Sequence, residues 1–213
     1  MLNDKKDTAV LIMGTFNPIT KAHVALGIGA KEKFPEADVI YVPSNLSFMK
    51  GWKKVDDDFI SDDERIELIR ESISDYADFS VTDIEITGVS DGRTYNTVQF
   101  IKKSYENVVM VMGIDKLNEL DRWYNAEQLF SEIQVLVFGR NGENLESMMT
   151  DFIRKHRDNF RDASMPECYE YISSTAVRDA VGADKLKEIE NDVPEKVYSF
   201  LINKREINYE HNS

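Results

Sequence analysis

The sequence predicts an α/β protein: a doubly wound, mainly parallel sheet with a small C-terminal helical part. Three observations predict it. Runs of strand length alternate with helical runs along the 213 residues, which is the pattern of βαβ units with helices on both sheet faces. Two strand runs, 107–113 (NVVMVMG) and 133–139 (IQVLVFG), are almost wholly apolar, as strands covered on both faces are. No internal repeat, low-complexity stretch or linker divides the chain, so one domain is expected over residues 1–213. Residues from about 160 onward form its C-terminal helical part, joined through a loop-like segment at 160–167.

The elements follow in order. Residues 8–13 (TAVLIM) form a short apolar strand, and 24–34 read as a helix. Residues 38–43 form a second strand ended by Pro43. A helix over 61–74 has Ser61 as N-cap, Glu64 three later as in a capping box, and an apolar stripe of Ile66, Leu68, Ile69 and Ile73. Residues 79–86 alternate with period two, as a half-buried or edge strand does. A turn at 88–92 leads to a helix over 94–105, with Val98, Ile101 and Tyr105 on one face. Residues 143–156 read as a helix, and 168–172 as a short strand followed by a helix from Ser173. A closing helix over 194–204 carries Pro194 in its first turn and turns Val197, Phe200 and Leu201 inward; the polar tail after Arg205 is expected to fray.

Composition narrows the function. The hydrophobic share of 42% supplies a core. The net charge of -13 argues against nucleic-acid or anionic-membrane partners, which require a basic footprint. A single cysteine, Cys168, permits no intrachain disulfide and no cysteine zinc cluster, in keeping with a reducing compartment. The N-terminus lacks an apolar signal region and no run approaches the roughly 18 apolar residues of a membrane span, so a cytoplasmic protein is expected. The run Asp56-Asp57-Asp58 reads as a solvated loop rather than a metal site, and the methionines as core filler.

In such sheets ligands sit beyond the carboxyl ends of the strands. Segments 14–23, 42–54 and 113–115 all follow apolar strands and should gather there. The first contains Gly14, which permits a sharp turn and close backbone approach, then Thr15, Phe16, Asn17-Pro18, and Thr20 and His23 three apart at a helix start. Free amides and the helix dipole at such a start favour phosphate. The second informative stretch is Ile172-Ser173-Ser174-Thr175-Ala176-Val177-Arg178. Ser173 or Ser174 is a ready N-cap. Arg178 opposes the dipole near a helix start, which makes sense if an anion lies over that end. Lys21 repeats the anomaly more weakly.

The first stretch resembles the Gly-x-Phe-x-Pro-x-His/Thr-x-x-His signature of the nucleotidyltransferase superfamily. The second resembles that superfamily's Ser-Ser-Thr-x-x-Arg motif, in the form carried by nicotinate and nicotinamide mononucleotide adenylyltransferases. Asp63-Glu64-Arg65-Ile66-Glu67, Gly113-Ile114-Asp115 with Trp123, and Val193-Pro194-Glu195-Lys196-Val197 resemble three further family segments. Departures are Met13 and Ala22 for common glycines, Asn17 for a common aspartate, and no Pro-Pro-His-Lys around 44–54.

The resemblance implies a Rossmann-like nucleotidyltransferase fold and adenylyl transfer from ATP to nicotinate mononucleotide, or to the nicotinamide form, with release of pyrophosphate. It implies catalytic roles for His23, Thr20 and Arg178. It implies ATP contacts from Gly14, Thr15, Phe16, Gly113, Asp115, Ile172, Ser173, Ser174 and Thr175. On the acceptor side it implies Asn45, Lys50, Thr94, Thr97 and Trp123, where Trp123 either stacks on the pyridine ring or anchors a surface helix. Lys50, Lys53 and Lys54 with Trp52 form a basic cluster that meets an acceptor phosphate or is simply solvated. Magnesium is expected on the triphosphate, with no protein metal cage. The partners expected are ATP and a pyridine mononucleotide, and a homo-oligomer is left open. Two alternatives stay open: another phosphorylated acceptor such as phosphopantetheine or a sugar or polyol phosphate, and a non-catalytic nucleotide-binding protein on the same fold.

Overall fold

A computed structural model describes residues 6–46, 60–139 and 142–211. Six parallel strands form one sheet: β1 Lys6–Gly14, β2 Asp38–Pro43, β3 Phe79–Val81, β4 Tyr105–Gly113, β5 Gln134–Gly139 and β6 Phe160–Ser164. Their order is β3-β2-β1-β4-β5-β6. Strand order reverses between β1 and β4, so the expected ligand crevice lies beyond Gly14 and Gly113. Among the described residues the α-helices are α1 Lys21–Lys33, α2 Asp62–Ser72, α3 Thr94–Ile101, α4 Ala126–Glu132, α5 Asp151–Lys155, α6 Ser174–Gly182 and α7 Glu195–His211. A 3-10 helix, Ile114–Arg122, leaves the end of β4.

Alternation along each central strand feeds two cores. Val10, Ile12, Val39, Tyr41, Val109, Val111, Leu136 and Phe138 point into one. Ala9, Leu11, Ile40, Val42, Val108, Met110, Val135 and Val137 point into the other. Residues from α1, α2, α6 and α7 join the first; residues from α3, α4, α5 and the 3-10 helix join the second. This two-sided burial is why the central runs carry almost no polar residue. Helix α1 lies close against the sheet because position 27 is glycine: a Cβ there would run into Tyr41 Oη and come within 2.8 Å of Phe79 Cε2.

The predicted caps form. Ser61 N donates to Glu64 Oε2 (2.7 Å) and Glu64 N to Ser61 Oγ (3.3 Å), and Lys204 Nζ of α7 reaches Glu64 (2.7 Å), locking α7 to α2. Six expectations change. The strand expected over 79–86 stops at Val81, and Ile84 and Glu85 turn inward in a non-strand segment. The helix expected over 94–105 ends at Ile101, and Tyr105 begins β4. The helix expected over 143–156 is split into a 3-10 turn, Leu145–Met148, and α5, because Asn144 and Thr150 each cap a new start. The segment expected as a loop at 160–167 supplies β6, whereas 168–172 is not a strand. The closing helix runs to His211, past the expected end.

Candidate active site

The two informative stretches meet. Ser174 Oγ donates to the Pro18 carbonyl (2.8 Å), and Arg178 Nη1 donates to the Asn17 carbonyl (2.8 Å). Arg178 Nη2 also donates to Thr175 Oγ1 (3.3 Å). The start of α6 is therefore bound to the loop that starts α1, and the Asn17 carbonyl supplies part of the negative charge that Arg178 called for. Ser173 caps α6 through Ala176 N (3.1 Å), Ile172 is buried, and Thr175 is exposed.

Within the first loop His23 takes the capping-box place usually held by Glu or Gln. Thr20 N donates to His23 Nδ1 (3.1 Å), and Thr20 Oγ1 lies 2.8 Å from the same nitrogen. An Nδ1 that accepts a main-chain N–H carries no proton, so the neutral ring bears its proton on Nε2. Thr20 is fully buried. Its hydroxyl lies against the ring nitrogen and helps to orient His23. The start of α1 is also less bare than expected, because Lys21 N donates to the Asp192 carbonyl (2.9 Å). The left-handed residue in the loop is not Gly14 but Phe16, with φ 47. Phe16 is buried, and its ring meets His23 edge-on at 5.1 Å. A non-glycine held there costs energy and persists only where surrounding structure enforces it. A Cβ on Gly14 would make only ordinary contact with that ring. The protein's own packing therefore does not require glycine at 14.

Arg65 lies beneath this loop, wholly buried. Nη1 donates to the Thr15 carbonyl (2.5 Å), and Nη2 to the Ser44 carbonyl (2.9 Å) and Asp62 Oδ1 (2.6 Å). It ties the loops after β1 and β2 together. Across the switch point, Gly113 ends β4 and Asp115 sits exposed at the start of the 3-10 helix. A Cβ on Gly113 would lie 2.5 Å from Asp115 Oδ1, so this glycine lets the carboxylate fold back over the strand end.

On the other core's side, Asn45 Nδ2 donates to the Glu85 carbonyl (3.3 Å). Thr97 is fully buried. Its hydroxyl donates to Glu85 Oε1 (2.7 Å) and is 2.7 Å from Ser90 Oγ. Thr94 is half-buried at the first position of α3, and Trp123 is half-buried against Phe130. Lys50, with Lys53, Lys54, Trp52 and Asp56 to Asp58, lies outside the described residues.

The family described as cytidylyltransferase-like matches residues 11–180. Over 195 residues the chain is 30% identical to a Clostridium acetobutylicum protein named "Probable nicotinate-nucleotide adenylyltransferase", covering 88% of this chain and 92% of that one. A Clostridium beijerinckii protein of the same name is 28% identical, over 92% of this chain and 96% of that one. The chain belongs to the nicotinate-nucleotide adenylyltransferase family. Its fold is shared with the Plasmodium falciparum nicotinic acid mononucleotide adenylyltransferase, in structures complexed with APC and with NaAD. Each has a TM-score of 0.70 and covers 93% of this chain and 96% of that one, at 16% and 17% identity.

Phe16, Ile19 and Val177, from the two informative stretches, pack into the first core, whereas Val98, Ile114 and Trp123 pack into the second, so the candidate residues flank the sheet on both faces. Sequence reasoning gave no role to Arg65, Glu85 or Arg93. An isolated arginine or glutamate in a helical or alternating run carries no sign of burial, and Arg65 entered only as part of the 63–67 segment that resembles a family segment. Glu85 is nearly fully buried, and burial pushes its carboxyl up to about 6, helped by Asp91 and opposed by the Thr97 hydrogen bond. A carboxyl raised on folding stabilises the native state below its unfolded value, and that contribution is lost as pH rises through about 6. Glu85→Gln should therefore remove about 2 kcal/mol of the stability change between pH 4.5 and pH 7. Urea titrations at the two pH values check this, and parallel curves for variant and parent would refute it.

Among the described residues no three His, Cys, Asp or Glu side chains converge on a metal site, and no helix is long and apolar enough to cross a membrane.

Proposed function

We propose that this chain transfers the adenylyl group of ATP to nicotinate mononucleotide and releases pyrophosphate, in NAD biosynthesis. The observation that carries the reading is the junction of the two helix starts through Ser174 and Arg178, beside the His23 ring. The acceptor phosphate arrives ionised, so the reaction needs alignment and charge stabilisation rather than a side-chain nucleophile. His23 donates Nε2–H to an oxygen of the α-phosphate, and Thr20 holds the tautomer that makes this possible. The opening left by Gly14, with Thr15, passes the phosphate chain. Ser173, Ser174, Thr175, the first amides of α6 and Arg178 hold the β- and γ-phosphates, which leave as pyrophosphate.

Asp115, beside Gly113, binds the two hydroxyls of a ribose. Asn45, Thr94 and Trp123 line the acceptor side, with Thr97 acting through Glu85. ATP-using nucleotidyltransferases generally need a divalent metal, and we take it here to be magnesium. Such an ion would enter bound to the triphosphate, where it would neutralise charge on the leaving group.

The test is pyrophosphate release from ATP with nicotinate mononucleotide, nicotinamide mononucleotide, phosphopantetheine and a polyol phosphate in parallel. Release with a pyridine mononucleotide and with neither of the others is expected. Turnover of phosphopantetheine or the polyol phosphate alone would overturn the assignment.

A further inference from the structure

We infer that Arg93 is the residue that selects an acceptor carrying a ring carboxylate over its amide counterpart. The inference rests on the adenylyl-transfer reading and names the specificity of that same site.

Arg93 is the residue before α3, and Tyr124 follows the 3-10 helix after β4. The strands that precede them, β3 and β4, are separated in the sheet by β2 and β1. Yet the guanidinium carbon of Arg93 lies 4.3 Å from the centre of the Tyr124 ring. The contact thus closes a wall at the carboxyl edge, where ligands of such sheets sit. Tyr95 meets Tyr124 edge-on at 6.1 Å, so the wall is aromatic with one cation on it.

The cation's polar edge is left over. Asp91 is its one ion partner, through Nε at 3.7 Å. The Asp91 carboxylate is already held by Arg93 N (3.0 Å) and by Asn96 Nδ2, 3.0 Å from each oxygen. Among the described residues, Nη1 and Nη2 of Arg93 have no hydrogen-bond partner. A guanidinium kept flat by a ring and open along its fork is shaped for two parallel hydrogen bonds to a carboxylate. The field around it makes such a cation necessary. Residues 82–97 carry Asp83, Glu85 and Asp91, with Arg93 as their sole positive charge. An acidic ligand would be repelled from this wall without it, whereas a neutral amide would not. Lys116, in the neighbouring 3-10 helix, is already paired with Asp115 (3.6 Å) and Glu119 (3.3 Å).

The experiment compares Arg93→Gln and Arg93→Lys with the parent, using nicotinate mononucleotide and nicotinamide mononucleotide as acceptors and pyrophosphate release as readout. A charge-assisted pair of this kind corresponds to roughly 10- to 100-fold. For Arg93→Gln, kcat/KM with the acid should fall by about that factor while kcat/KM with the amide stays within about threefold. Arg93→Lys, which keeps the charge but not the fork, should lie between. The side chain is half-exposed, so both variants should melt close to the parent. Equal losses with both acceptors, as a phosphate contact would give, overturn the inference while leaving adenylyl transfer intact. So does a parent enzyme that does not prefer the acid. A parent that releases pyrophosphate with neither mononucleotide overturns both readings.

Discussion

His23→Asn should lower kcat by about 100- to 1,000-fold, with little change in the KM for ATP, while leaving thermal stability almost untouched. The reasoning separates the two nitrogens of the ring. Nδ1 does structural work, accepting from Thr20 N at 3.1 Å and closing the start of α1. Asparagine carries an oxygen near the Nδ1 position and can keep that cap. It has nothing near Nε2, the nitrogen we assign to the α-phosphate. Loss of one aimed donor in a site of this kind costs on the order of 100- to 1,000-fold in turnover. His23→Gln is the control. It places an amide nitrogen near Nε2, and glutamine at this helix position can itself close the capping box, so it should retain more activity than Asn at a Tm close to the parent's. Steady-state kinetics and thermal melts of both variants test the division. Should Asn turn over as fast as the parent, or should Gln be the less active of the two, His23 has no place as a donor in the reaction.

The architecture was legible because its signals are of the kind that one-dimensional patterns carry. Almost wholly apolar runs marked β4 and β5, the Ser61–Glu64 spacing marked the start of α2, and hydroxyls ahead of Val177 marked the start of α6. Where the reading failed, the signal depended on a neighbour. β6 reads as FRDAS and is polar at three of five positions, and only its pairing with β5 at the edge makes it a strand. The reverse error fell at 82–86, where alternation looked like a strand because Ile84 and Glu85 are both buried, although in a turn-rich segment. The residues proposed for the ATP side stand out because most of them sit in compact motifs at helix starts. What each does could not be read in the same way. That Thr20 lies against His23, that Phe16 adopts positive φ, and that Thr97 faces Glu85 are facts of side-chain direction or local backbone conformation, which spacing along the chain does not specify.

Arg65→Met should destabilise the protein by about 3–5 kcal/mol and reduce activity even at temperatures where the variant stays folded. Replacing a buried ion pair with an apolar side chain of similar volume is often neutral, so the sign must be argued from what Arg65 touches. Its partner carboxylate, Asp62, is 38% exposed on its side chain and can return to water at little cost. The Thr15 and Ser44 carbonyls are a different matter. They receive their bonds from a wholly buried guanidinium, and methionine offers no donor to replace it. Both carbonyls belong to half-buried residues, and each acceptor left facing the methionine without a partner costs about 1–3 kcal/mol. Two of them outweigh the desolvation recovered when the charge is removed, and the total is a large share of the 5–15 kcal/mol that holds a domain folded. The functional loss has a separate origin. Thr15 belongs to the loop that positions His23, and Ser44 begins the segment after β2. Without the guanidinium the Thr15 and Ser44 carbonyls lose their common anchor, and a misplacement of about 1 Å in the loop beyond the paired strand ends suffices for a loss near 100-fold. Arg65→Lys supplies a charge and three donors on a shorter head, so it should recover part of the stability and less of the activity. Urea unfolding at fixed pH gives the first quantity and kcat/KM at low temperature the second. A methionine variant as stable and as active as the parent would mean that water, not Arg65, satisfies these carbonyls.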